Sequence, residues 1–439
     1  MDEPWLRDLL DRATASEPPI GPLALNALRA GIKRRRRRRA QGTVACMAAV
    51  ALIGGAAAVT TTGTPRNPPA APPKHTGPST TYVLSGEGNL YAIPNATKVR
   101  SKKLLLPGGR QVMVITPNGK TIYVSGDEPN AVIPVSTATE TVEKPIEFGR
   151  QVPQEMVVTP NGKTVYVLPL GGNEIIPIAT ATNTLEKPIK VGQGLGGPFQ
   201  MVITPDGKTL YVTWPNLRGT GPAYVVPIST ATNTREKAIK IANASFIELV
   251  MSPDGANVYA LAQLRSMRGI EIIPIATATN TAGKPVSVGT ADGAVYISPN
   301  GQLLYLVRYG LNQTTDVIPF STATGTLGKP IKIDSSVYAI AFSPDGSTAY
   351  AASQLPQKPA VNCTGQTGVV TPISTATNLP GRALRVACDP YALAVTPDGK
   401  TVWVGSRNWV TPISTATDKP GKPITFRGSL VALIEGPTP

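Results

Sequence analysis

Trp214, Arg218, Arg265, Arg268, Arg308, Tyr309, Arg407 and Trp409 are the residues of this chain best suited to gripping a ligand. Trp, Tyr and Arg supply most of the energy at binding hot spots. These eight fall in or beside stretches that vary where the rest of the chain repeats: "WPNLRGTGP" (214–222), "AQLRSMRG" (262–269), "RYGLNQTTD" (308–316) and the residues after 405. Carboxylates of the same stretches are fewer: Asp127, Glu128, Asp292, Asp316 and Asp389. Cations and rings in such a ratio fit an anionic or sugar-type ligand, or an acidic protein partner; ordinary exposed loop residues are the alternative. Catalytic chemistry is poorly supplied. The only histidine is His75, in a Pro/Thr-rich stretch, so Ser-His-Asp triads, His general bases and His-rich metal sites are not available elsewhere. No catalytic residue, metal site or cofactor is assigned.

The elements that must position these residues form a repeat. A turn centred on Pro117, Pro160, Pro205, Pro253, Pro299, Pro344 and Pro397 recurs at intervals of 43, 45, 48, 46, 45 and 53. In "TPDG" (204–207) Pro presets φ, Asp suits the next position, and Gly takes the left-handed conformation of a bulged hairpin. Every copy keeps Pro, then Asp or Asn, then Gly, because a slip of one residue would turn the core face of the hairpin outward. A second motif of the type "IPVSTAT" follows each turn, and a third of the type "KPIKV" closes most units. A period in the mid-forties built of short strands implies a β-propeller with four strands, a to d, per blade. The "KPI" strand is the outermost, where Lys and Pro blunt a free edge. Each strand c carries a proline (Pro134, Pro177, Pro227, Pro274, Pro319, Pro372, Pro412), which cannot donate to a ladder. A bulge or unpaired position is expected there.

The repeat starts in mid-unit. "TYVLSGEGNLYAIPNATKVRSKKLLLPGG" from Thr81 matches strands b, c and d, and the terminal "GSLVALIEGP" matches a lone strand a. Joining the two ends completes one shared blade. Residues 81–436 then divide into eight units averaging 44.5 (356 over 8), whereas seven units would average about 51, longer than all but one interval. The expectation is an all-β, eight-bladed propeller of antiparallel blades, with seven as the alternative.

"SPDGANVYALA", "TPDGKTLYVTW" and "IATATNT" resemble the YVTN β-propeller repeat family, whose consensus joins a P-D-G turn to Y-V-T-N and then to a V-I-D-T-A-T-N-T segment. The resemblance covers about four-fifths of the chain. Two departures stand out: the final Asn of the name motif is absent from every copy, and Ser or Ala replaces the Asp of the second motif. The family implies seven blades and roles scattered among surface and binding proteins, with few enzymes. A lactonase-like hydrolase using Asp127, Glu128, Asp292 and Asp389 with a divalent cation is the enzymatic alternative. In a propeller the d–a and b–c loops share one face, which places Cys363 and Cys388 together and predicts a disulfide between them outside the reducing cytoplasm.

Ahead of the repeat, residues 1–39 form a basic stub ending in "KRRRRRR" (33–39), and Ala40 to Val59 is a run of twenty residues without charge. At 1.5 Å per residue it spans about 30 Å, enough to cross a bilayer. The basic run orients it with the N-terminus cytoplasmic, as an uncleaved signal anchor; a cleavable signal peptide is the alternative. Residues 60–80, rich in Pro and Thr, read as an extended spacer. The formal net charge of +15 owes seven units to the run beside the span, so membrane rather than nucleic acid is the expected partner. The whole reads as a single-pass membrane protein with an extracytoplasmic propeller. It is expected to bind an envelope protein or polysaccharide on its loop face, with sensing of a ligand and signalling through the stub as the alternative.

Overall fold

In the computed structural model the hairpins of the repeat build eight antiparallel blades arranged in a ring. Residues 79–437 are described, apart from 102, 108–109, 128, 193–199, 216–221, 266–268, 290–292, 310–314, 334 and 356–366. The stub, the apolar run and the Pro/Thr spacer therefore lie outside the described residues. Among those described, no helix is long and apolar enough to cross a membrane. Blades 2 to 8 occupy 110–147, 153–190, 201–241, 244–289, 293–333, 336–386 and 392–425. Blade 1 is shared by the two ends: strand a is Leu430–Pro437 and strands b, c and d are Ser79–Ser85, Asn89–Pro94 and Leu104–Leu105. Eight blades, not the seven that the family resemblance implies, close the ring.

Each repeated residue has a structural task. In the a–b turn of blade 4, the Gly207 amide donates to the Thr204 carbonyl at 2.8 Å, and Asp206 Oδ1 accepts from the Thr204 hydroxyl and the Lys208 amide. Gly207 has a φ of 71°, and a Cβ there would sit 3.1 Å from Cδ of Pro160 in the preceding blade. The glycine is thus needed both for backbone conformation and because successive turns stack. The first Thr of each "TAT" segment ties the c–d turn to this hairpin: the Thr180 hydroxyl donates to the Gly162 carbonyl at 2.7 Å, and Thr137, Thr230, Thr277, Thr322, Thr375 and Thr415 repeat the contact.

Neighbouring blades are latched by the strand b tyrosine. Tyr123, Tyr166, Tyr211 and Tyr305 donate to Asn183, Asn233, Asn280 and Asn378 in the c–d turn of the next blade. All four asparagines have positive φ, a conformation Asn tolerates better than most residues. Burial pushes the hydroxyls of Tyr123, Tyr166, Tyr211 and Tyr305 up to about 12, so they remain donors at ordinary pH. Tyr211→Phe should cost about 1 kcal/mol, read as a lower urea midpoint at unchanged slope.

The proline of strand c produces the expected irregularity, and it falls on strand d. In blade 2, Val135 pairs with Val142 and Val132 with Ile146. Two residues of c, Ile133 and Pro134, therefore face three of d, Glu143, Lys144 and Pro145. The Pro134 carbonyl accepts from the Glu143 amide at 2.9 Å, while its missing N–H needs no partner because d bulges away. Blades 3 to 8 repeat this register. The Lys-Pro pair is the bulge itself in most blades.

Ring closure rests on pairing of Leu430–Pro437 with Ser79–Ser85, Thr81 opposite Glu435 and Val83 opposite Leu433. Glu435 is only 2% exposed. One of its oxygens bonds the Thr81 hydroxyl, and the other accepts from the Asn95 amide at 2.8 Å. Asn95 Oδ1 also accepts from the indole of Trp403 in blade 8 at 2.7 Å. A single buried network thus joins the two ends of the ring to the adjoining blade.

Candidate functional site

The predicted ligand-binding residues fall into three groups. Arg218 and Arg268 lie outside the described residues, as do Glu128, Asp292 and Cys363, and so does the side chain of Tyr309. Trp214 is packed rather than presented: it is 8% exposed, within the core between blades 3 and 4. Its indole covers Gly192, where a Cβ would approach the ring to 3.1 Å. The remaining residues surround the b–c and d–a loops.

There the arginines are held by carboxylates. Arg308 Nη2 meets Asp316 Oδ2 at 2.5 Å across strands b and c of blade 6. Arg407 Nε meets Asp389 Oδ2 at 2.9 Å, with its side chain 58% exposed. Asp389, at a positive φ of 52°, is fixed by its amide donating to Gln354 Oε1 of blade 7 at 2.8 Å. The neighbouring Cys388 is buried and disulfide-bonded, its partner lying outside the described residues. Leu430 N–H donates to the Arg407 carbonyl at 2.5 Å, tying this loop to strand a of blade 1. Trp409 is half-buried at the start of strand c of blade 8, and Arg265 is half-buried after strand b of blade 5. The loops of blades 7, 8 and 1 are therefore cross-braced around Arg407, whereas Arg265 and Arg308 stand on blades 5 and 6. Asp389, one of the acids a hydrolase would require, is engaged by Arg407. Among the described residues no group of three or more His, Cys, Asp or Glu side chains could hold a metal ion.

A second polar feature lines the inner strands. Four residues before the turn Thr or Ser stand Val112, Glu155, Gln200, Glu248, Ala294, Ala339 and Ala392 in blades 2 to 8. Glu155 Oε1 accepts from the Met201 amide of the next blade at 3.0 Å. Gln200 accepts from the Leu249 amide and donates to the Leu249 carbonyl of the blade after, at 2.6 and 3.1 Å. Side chains at this position thus occupy main-chain groups on the free edge of strand a. Burial pushes the Glu155 carboxyl up to about 8, against the lowering effect of the Met201 amide. Comparing the repeats column by column would have exposed these residues, since polar side chains interrupt an otherwise apolar column.

With this architecture the chain is an eight-bladed β-propeller. No family model and no curated protein matches it. Among solved structures it resembles dihydro-heme d1 dehydrogenase NirN in complex with DHE, at a TM-score of 0.65 and 12% identity over 81% of this chain and 74% of that one. AztD of Citrobacter koseri is similar at a TM-score of 0.58 and 11% identity, over 82% of this chain and 98% of that one. Hydrazine synthase of Kuenenia stuttgartiensis gives 0.51 and 17%, over 72% and 95%. At such identities the likeness is one of fold, and folds of this kind host unrelated functions.

Proposed function

We propose that the chain is a membrane-anchored, extracytoplasmic propeller of the YVTN-repeat type. It acts as a non-enzymatic recognition module that binds an envelope protein or an anionic or sugar-type ligand on its loop face. The observation that carries the reading is the brace of Gln354, Asp389 and Arg407 beside the Cys388 disulfide. It orients a largely exposed guanidinium on a loop whose ordering cost has already been met, the condition for affinity from few contacts. A disulfide also supports an oxidising compartment, in keeping with the apolar run and spacer upstream.

The test is capture of envelope components by the fragment 79–439. Arg407→Ala should weaken binding by roughly tenfold or more, as loss of a hot-spot arginine does, while its far-ultraviolet dichroism stays that of the parent. Undiminished capture by an Arg265→Ala, Arg308→Ala, Arg407→Ala triple variant would refute the reading.

A further inference from the structure

The outer strands and their preceding turns do not carry charge evenly around the ring. Blades 6, 7 and 8 each present a pair of cations there, Lys329 and Lys332, Arg382 and Arg385, Lys419 and Lys422. Blade 1 adds Lys98, Arg100 and Lys103. All nine are exposed; Arg100 also donates to the Thr425 carbonyl of blade 8 at 2.8 Å and lies over the Tyr91 ring. Against these nine stands one carboxylate, Asp418. The same segments of blades 2 to 5 hold seven cations and five carboxylates: Glu140, Glu143, Glu147, Glu186 and Glu236. Blades 6, 7, 8 and 1 are consecutive, so the imbalance is one continuous half of the rim.

A second feature coincides with it. Of the large apolar side chains exposed on the described surface, the three most exposed are Val99 and Leu105 at 67% and Leu379 at 65%. Val99 and Leu105 belong to the outer segment of blade 1 and Leu379 to that of blade 7. Cations interspersed with protruding apolar side chains suit the headgroup region of an anionic bilayer, where charge attracts and apolar side chains insert. The position of the chain entry agrees. The first described residue, Ser79, begins strand b of blade 1, inside this half of the ring. In the sequence the Pro/Thr-rich stretch and the apolar run come directly before this strand.

We propose that the rim of blades 6, 7, 8 and 1 is a peripheral docking surface for an anionic lipid bilayer, which lays the propeller edge-on against the membrane. The loop face then stands perpendicular to the bilayer and open to a partner. The placement rests on the anchored reading above, whereas the surface itself is read from the ring alone and can be tested without the anchor.

The experiment is flotation of fragment 79–439, whose ring closes within residues 79–437, with vesicles of phosphatidylcholine alone or mixed with phosphatidylglycerol. Binding is expected only to the mixed vesicles and should fall as salt rises. Lys98→Glu, Lys329→Glu and Arg382→Glu together should reduce it roughly 100-fold, at about fivefold per basic residue lost. Lys144→Glu, Lys187→Glu and Lys237→Glu on the opposite half should leave it nearly unchanged. Val99→Ser with Leu105→Ser should weaken it with the charge intact. Equal binding to both vesicle types, equal loss from the two triple variants, or capture of soluble polyphosphate as tight as that of vesicles would overturn the proposal. None of these outcomes bears on Arg407, so a failure here is distinguishable from failure of the loop-face reading.

Discussion

A chain ending at Ser429 is expected not to form the ring. The lost strand buries Leu430, Leu433 and Ile434, and burying each such side chain is worth about 1.5–3 kcal/mol. The sum approaches the whole stability of an ordinary domain, about 5–15 kcal/mol. Truncation also strips strand b of blade 1 of its partner and leaves the network of Thr81, Asn95 and Trp403 without Glu435. A milder form of the same experiment is Leu433→Ala, for which a loss of about 2–5 kcal/mol is expected. Urea unfolding followed by dichroism, with gel filtration of the truncated chain, reads both. A truncated chain that unfolds at the parental midpoint would show that the C-terminal strand does not hold the ring.

Stability should fall as pH rises from about 5 to about 8. Burial raises the Glu155 and Glu435 carboxyls from an ordinary 4.5 to about 8 and about 7. The Thr81 and Asn95 hydrogen bonds oppose the shift at Glu435, and Asp398 adds to it. Between the unfolded and folded values the native state holds protons that the unfolded chain releases. Raising pH through that window therefore favours unfolding. Each pKa unit corresponds to about 1.4 kcal/mol, so the two carboxyls together are worth several kcal/mol. The geometry at Glu435 agrees with a bound proton. A neutral carboxyl can donate to Thr81, leaving the Thr81 hydroxyl for Asn95 Oδ1 at 2.7 Å, while the Asn95 amide supplies the other oxygen and Ser79.

On the acid side the sign reverses. Asp345 is held below its ordinary value, first by the Ser343 hydroxyl. At Asp206 and Asp398 burial pushes upward, but bonds from the turn Thr hydroxyl and the following Lys amide outweigh it. Stability from these turns is lost as pH falls through their folded values. Stability is therefore expected to decline in acid as well as toward alkaline pH. Glu155→Gln with Glu435→Gln should flatten the fall toward alkaline pH in urea midpoints measured across the range. An unchanged slope would mean that neither carboxyl is neutral in the folded ring.

Much of the fold was legible in the repeat because its residues are constrained by local backbone geometry. Pro205, Asp206 and Gly207 announce a turn whatever surrounds them, and Pro134 announces a ladder defect that the structure places on strand d. The half-repeats at Thr81 and at "GSLVALIEGP" defined the shared blade and with it the count of eight. Contacts between blades were not legible. That Tyr123 reaches Asn183, or that Tyr166 reaches Asn233, depends on the twist and spacing of sheets. The same limit governed the site. Trp214 ends a strand and begins a variable loop, so sequence alone cannot decide whether its indole turns toward solvent or over Gly192. Asp389 stands in the sequence only as one carboxylate of the loop face, yet it is the partner of Arg407, because the two lie on successive loops of one face. Glu155, Gln200 and Glu248 passed unnoticed inside apolar strands, where only a column-by-column comparison separates them from core positions.

Amide hydrogen exchange across the seam tests the closed eight-bladed ring most directly. The ring as described predicts that amides within Leu430–Pro437 and Ser79–Ser85 exchange as slowly as those of an interior strand such as Asn257–Leu264, because breaking the seam requires opening the ring. Exchange of Leu430–Pro437 at the rate of a free chain end, with Ser79–Ser85 behaving as an exposed edge, would contradict the closure, the count of eight and the loop face drawn from them.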